Sequence, residues 1–106
     1  MAKYFLIESR SPFDSPDVNY NYQLALDLAN NGNEVTLFLV ENGVFVARKT
    51  TSVVSLDTLN NVNILADDFS LRERGISNDE MRNNIKIAEI STVVEAMANG
   101  AKTMWL

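Results

Sequence analysis

Three short polar stretches carry the side chains that could do chemistry: Glu8-Ser9-Arg10-Ser11-Pro12-Phe13-Asp14, Glu41-Asn42-Gly43 and Asp67-Asp68-Phe69-Ser70. From them come the candidate ligand-rim residues Ser9, Arg10, Glu41, Asn42, Asp67, Asp68 and Ser70. The adjacent carboxylates Asp67 and Asp68 allow three roles. They could cap a short helix beginning near Phe69, because negative charge is favoured at a helix N-terminus. They could bind a divalent cation, although two neighbouring acids are a poor cage without further ligands. They could act as acid and base, but that task needs carboxyls opposed across a substrate. Arg10 lies just before a helix start at Ser15, where it could hold an anion. It could equally be a surface or interface residue. Neither a phosphate-cradling loop nor a dinucleotide fingerprint is present, and no catalytic residue, metal site or cofactor is assigned.

What is absent narrows the chemistry further. The chain has no cysteine and no histidine. Without thiols it has no disulfide, no thiolate metal site and no cysteine nucleophile. Without imidazole it lacks the usual general base and the commonest metal ligand. Triad-type and zinc-type catalysis by this chain are excluded. The net charge of −5 argues against nucleic acid and anionic membrane as partners, since both need a cationic face. Lys3 precedes only a short apolar run, too short for a signal peptide or a membrane span, and the expected location is cytoplasmic.

The elements that must position these stretches follow from the hydropathy pattern. A chain of 106 residues with 46% apolar and 22% charged residues is expected to fold as one domain, 1–106. Tyr4-Phe5-Leu6-Ile7 and Val35-Thr36-Leu37-Phe38-Leu39-Val40 are continuous apolar runs, the mark of strands buried on both faces. Between them, Ser15 and Pro16 predict the N-cap and first position of a helix. Its core stripe is expected at Tyr20, Leu24, Ala25 and Leu28, and Asn31-Gly32 ends it. Val44 to Ala47 could be a short helix or a strand-like segment. Val53 to Asn60 reads as a helix with Val53, Leu56 and Leu59 on one face, followed by a third strand, Val62 to Ala66.

Ser77 and Glu80 have capping-box spacing and predict a short helix around Asp79 to Asn83. Ile85 to Ala88 is either an extended connector or a minor strand. Thr92 and Glu95 repeat the capping-box spacing before a helix that Asn99-Gly100 closes, and Lys102 to Leu106 forms a last strand. Glycines 43 and 75 are expected to serve a turn and a helix C-cap. The alternation predicts a three-layer α/β/α sandwich with a mainly parallel sheet of four to five strands. Ligands of such sheets bind at the carboxyl ends of the strands, which is where the three polar stretches fall. Phe13, Tyr20, Tyr22, Phe45 and Trp105 are more large rings than one narrow core stripe can bury; self-association is expected.

Several segments together resemble the DsrE-like family of small sulfur-relay proteins. They are Lys3 to Glu8, Asn19-Tyr20 with Leu24-Ala25-Leu26, Glu34 to Val44, and Val62 to Ile76 with its Arg74-Gly75 pair. The resemblance implies the same open-sheet fold and a trimer or hexamer. It also implies that the loop after the third strand is where family members carry a persulfide-forming cysteine. Here that stretch offers Asp67 and Ser70, and a serine hydroxyl does not form a persulfide. Members with the cysteine pass sulfur between proteins, in hetero-oligomers where some subunits lack it. The implied role is therefore a non-catalytic accessory subunit beside a cysteine-bearing partner. The alternative from the residues alone is a homo-oligomeric module that binds a small ligand at the strand ends.

Overall fold

The computed structural model describes residues 1–106, except for the side chain of Val54. Five strands, β1 (Lys3–Glu8), β2 (Glu34–Leu39), β3 (Asn63–Asp67), β4 (Ile85–Ala88) and β5 (Lys102–Trp105), form one sheet in the order β4-β3-β2-β1-β5. Every pairing is parallel. The chain steps outward from β1 to β4, then crosses the whole sheet to place β5 on the far side of β1. Ile85–Ala88 is thus a full strand, held to β3 in register from Ile64↔Ile85 to Asp67↔Ala88.

Right-handed crossovers put the connections of the outward run on one face and the return connection on the other. The first face carries α1 (Asp17–Asn30), a 3₁₀ segment Glu41–Ala47, α2 (Val54–Asp57) and α3 (Asp68–Glu73). Its core joins Leu6, Leu37 and Ile64 of the strands to Tyr22, Val44 and Leu56 above them. The second face carries α4 (Ser91–Ala98) alone. There Phe5, Ile7, Phe38 and Val40 are buried beneath Val93 and Ala96. The result is a three-layer α/β/α sandwich with very unequal outer layers.

Local physics corrects several expectations. In α1 the buried residues are Val18, Tyr22 and Ala25, while Tyr20 is 75% exposed and Leu24 37%. Val18, Tyr22 and Ala25 share helical spacing and form the fully buried stripe, and of the expected stripe only Ala25 belongs to it. Ser15 does serve the helix start: its Oγ accepts the Asp17 amide at 3.2 Å, and Pro16 already has helical dihedrals. The Val53–Asn60 helix is only Val54–Asp57, because the Thr58 hydroxyl donates to the Ser55 carbonyl and Asn60 N–H turns back to Thr58. Its buried face of Val53, Leu56 and Leu59 is as expected.

The Ser77–Glu80 box forms, with Ser77 N–H and Oγ donating to the Glu80 carboxylate. It caps one 3₁₀ turn, Asn78–Glu80, and not a helix to Asn83, since Met81 is extended and bridges Arg48. The Thr92–Glu95 box is absent. Ile90 is already helical and α4 starts at Ser91, which puts Thr92 inside the helix. Gly43 has no positive φ. It is needed because a Cβ there would lie 2.4 Å from the Glu8 carbonyl oxygen. Gly75, at φ +66, is the expected left-handed C-cap.

Candidate functional site

At the carboxyl end of β3 the chain turns directly into α3, and Asp67 is the hinge. Its backbone is extended and its side chain caps the helix. Asp67 Oδ2 accepts the Ser70 amide at 3.0 Å and the Ser70 hydroxyl at 2.7 Å. Ser70 Oγ in turn accepts the Glu41 amide at 2.8 Å, tying the end of β2 to the end of β3. Glu41 is held at φ +50, the only positive φ at a non-glycine among the described residues. That conformation is uncommon for a side chain of this size. Asp67 and Ser70 are 7% and 3% exposed. The Ser70 hydroxyl is therefore committed as both donor and acceptor within the fold.

Asp67 and Asp68 do not act as a pair. Asp68 points outward to Arg72, one helical turn on, at 3.1 Å. No group of three or more potential ligands among the described residues could hold a metal ion, so the cage that two acids lack is not completed. Arg74 closes the other side of α3. Its Nε and Nη2 donate to Asn42 Oδ1 at 3.2 and 3.0 Å, and its guanidinium lies 5.7 Å from the centre of the Phe45 ring.

A cavity of about 520 Å³ opens beside this junction. Glu41, Asp67, Asp68 and Ser70 line it, as the strand-end rule anticipates. Ser9, Arg10 and Asn42 do not. Arg10 turns toward α1, where Nη1 donates to Ser15 Oγ at 3.3 Å and lies 3.8 Å from Asp17, with Nε 3.8 Å from Glu8. Asn42 faces Arg74. Ser9 contributes its carbonyl, which accepts the Gly43 amide at 3.2 Å. The first loop thus belongs to the thicker layer and the other two to the cavity.

Glu89, Ile90 and Trp105 complete the cavity wall and were not among the expected site residues. Glu89 follows β4 and Trp105 ends β5, so the strand-end rule would have flagged Glu89 once β4 was recognised. Phe69 and Trp105 are 59% and 62% exposed. Arg72 is the single cation lining the cavity among the described residues and is already paired to Asp68. Glu8 was also missed as a buried group. It ends β1 fully buried, accepting Asn21 Nδ2 at 2.6 Å and the Arg10 amide at 3.1 Å.

An all-parallel open sheet with helices on both faces places this protein in the three-layer α/β class. More specifically, the chain matches the DsrE/DsrF-like family over residues 2–106 and belongs to that family. Among solved structures it is similar to the YchN protein from E. coli, with a TM-score of 0.88, 18% identity and full coverage of both chains (100% and 100%). It is also similar to MTH1491 from Methanobacterium thermoautotrophicum, a protein of unknown function (TM-score 0.81, 17% identity, 99% of this chain and 98% of that one). A third similar structure is BT1422 from Bacteroides thetaiotaomicron, also of unknown function (TM-score 0.71, 19% identity, 98% and 95%). No curated protein matches. The family match makes this a relative of sulfur-relay proteins whose chain has no thiol.

Proposed function

We propose that this protein is a non-catalytic, oligomeric member of the DsrE/DsrF-like family that acts as an accessory subunit in intracellular sulfur transfer. The observation that carries this reading is the combination of family membership with the Asp67–Ser70 pair at the position the resemblance gives to the cysteine. The pair spends its hydrogen bonds on holding α3 and Glu41 in place, and no sulfur nucleophile exists in the chain. The thiol would come from a second, cysteine-bearing protein. Self-association is supported by α4 and the residue before it: Ile90, Val94 and Met97 are 61%, 67% and 60% exposed. A helix apolar on both sides is normally covered, and a second copy of the chain, as a trimer or hexamer, is the proposed cover. No helix among the described residues is long and apolar enough to cross a membrane, and the proposed setting is the cytoplasm. Native mass spectrometry of protein gently purified from its own host tests the reading. A complex with a cysteine-bearing subunit supports it; a homo-oligomer that ignores such partners overturns it.

The cavity favours a second reading, a homo-oligomeric module that binds a small ligand at the strand ends. Its volume falls within the range of ordinary small-molecule sites. Ligand-dependent thermal stabilisation that Asp68→Ala abolishes, with the oligomer intact, would support it. No shift across a metabolite panel would remove it.

A further inference from the structure

The cavity walls select a class of ligand, a selection that rests on the small-ligand reading of this site. Asp67 lines the cavity although it is only 7% exposed. Both hydrogen bonds to its carboxylate go to Oδ2. Oδ1 receives none among the described residues, and it is not sealed in the protein: the one buried side-chain atom without a partner among those residues is Tyr22 Oη. A carboxylate is an acceptor only, so this open oxygen is free to accept a donor from a ligand in the cavity. The surroundings select the donor's charge. Glu41 and Glu89 also line the cavity, and neither makes an ion pair among the described residues. Arg72 is already occupied by Asp68. An anion would meet uncompensated carboxylates, and a bare metal ion would lack a ligand set among the described residues. The apolar lining is Val40, Phe69, Ile90 and Trp105, and aromatic rings attract organic cations.

We propose that the cavity binds a small organic cation, an ammonium group on an apolar ring-bearing body. The ammonium donates to Asp67 Oδ1 between Glu41 and Glu89, and the body rests against Trp105 and Phe69.

Tryptamine is a suitable probe. Indole-3-acetate carries the same ring with the opposite charge, and tryptophol carries it with none. Titrations followed by amide NMR on the whole protein should show saturable binding of tryptamine. The shifts should be confined to Glu41, the 67–73 segment, Glu89, Ile90 and Trp105. The two analogues should bind about tenfold more weakly or not at all, since a charge-assisted hydrogen bond is lost. Tryptamine binding should weaken as salt is raised. Asp67→Asn should lower tryptamine affinity by about tenfold. Because Asp67 also caps α3, the exposed changes Glu89→Gln and Trp105→Ala serve as independent variants. Each should weaken binding by about threefold with an unchanged melting temperature. If indole-3-acetate or tryptophol binds as well as tryptamine at these residues, the cation class is wrong while the ligand-site reading stands. If none of the three saturates, the ligand site itself falls.

Discussion

The two faces of the sheet are finished differently. On the face of α1, α2 and the 3₁₀ segment, Leu6, Leu37, Val44 and Leu56 have no exposed surface, and the buried Glu8 carboxylate finds partners. On the face of α4, one short helix covers the middle of the sheet and buries no residue of its own fully. An all-parallel sheet normally has both faces covered. The first face therefore holds the fold together, and the second, with the cavity at its rim, is where the molecule has surface left to engage something else.

The largest test of that contrast is a large-to-small change on each face. Leu37→Ala on the sealed side should cost about 2–5 kcal/mol in urea unfolding. Val94→Ala on α4, 67% exposed, should change the stability of the monomer by only about 0.5 kcal/mol or less. A comparable loss at both would mean the faces are equally packed.

Gly43→Ala probes the seam where the first loop presses on the 3₁₀ segment. The added Cβ would meet the Glu8 carbonyl oxygen at 2.4 Å, a backbone atom with little room to yield. A loss of about 1–3 kcal/mol is expected, read from the denaturation midpoint. An unchanged midpoint would show that the seam is loose.

At the cavity rim, Ser70→Ala removes a donor to Asp67 and the acceptor for the strained Glu41 amide. A cost of about 1–2 kcal/mol is expected. Faster amide exchange should appear at Glu41. Unchanged exchange there would show that the Ser70 contact does not hold this turn.

A small effect is expected at Tyr22, whose hydroxyl is buried on the sealed face without a partner among the described residues. Burial, and then the nearby Glu8 charge, push this hydroxyl well above the ordinary tyrosine range. In the unfolded chain it ionises at about pH 10. The unfolded state then loses a proton that the folded state keeps, and stability should fall as pH rises past that point. Tyr22→Phe should be neutral or about 1 kcal/mol stabilising at neutral pH. The variant should also lose this alkaline component of the decline. A clear loss of stability at neutral pH would instead reveal a partner for the hydroxyl, such as a bound water.

The first three strands were legible because each is a short, mainly apolar run between turn residues, and they lead directly to the parallel α/β class. The site was half legible. Glu41, Asp67, Asp68 and Ser70 could be placed because they follow recognisable strands. Glu89 was hidden behind the short, weakly patterned β4. Trp105 reads equally well as core or contact. Arg10 and Asn42 looked like rim residues because a loop's position in the chain says nothing of which way its side chains turn. Here Ser15, Asp17 and Arg74 draw them away.

By itself, the sequence determined which chemistry is closed to this chain, because thiol and imidazole are absent whatever the fold. It also determined the alternation of strands and helices, since that depends on local hydropathy and turn residues. Tertiary structure alone decided which stripe of α1 is buried, that β5 crosses to the far edge, and that Glu89 and Trp105 meet Asp67. Each of these depends on packing between segments distant in the chain, where several locally equivalent choices exist and only close contact with the sheet separates them.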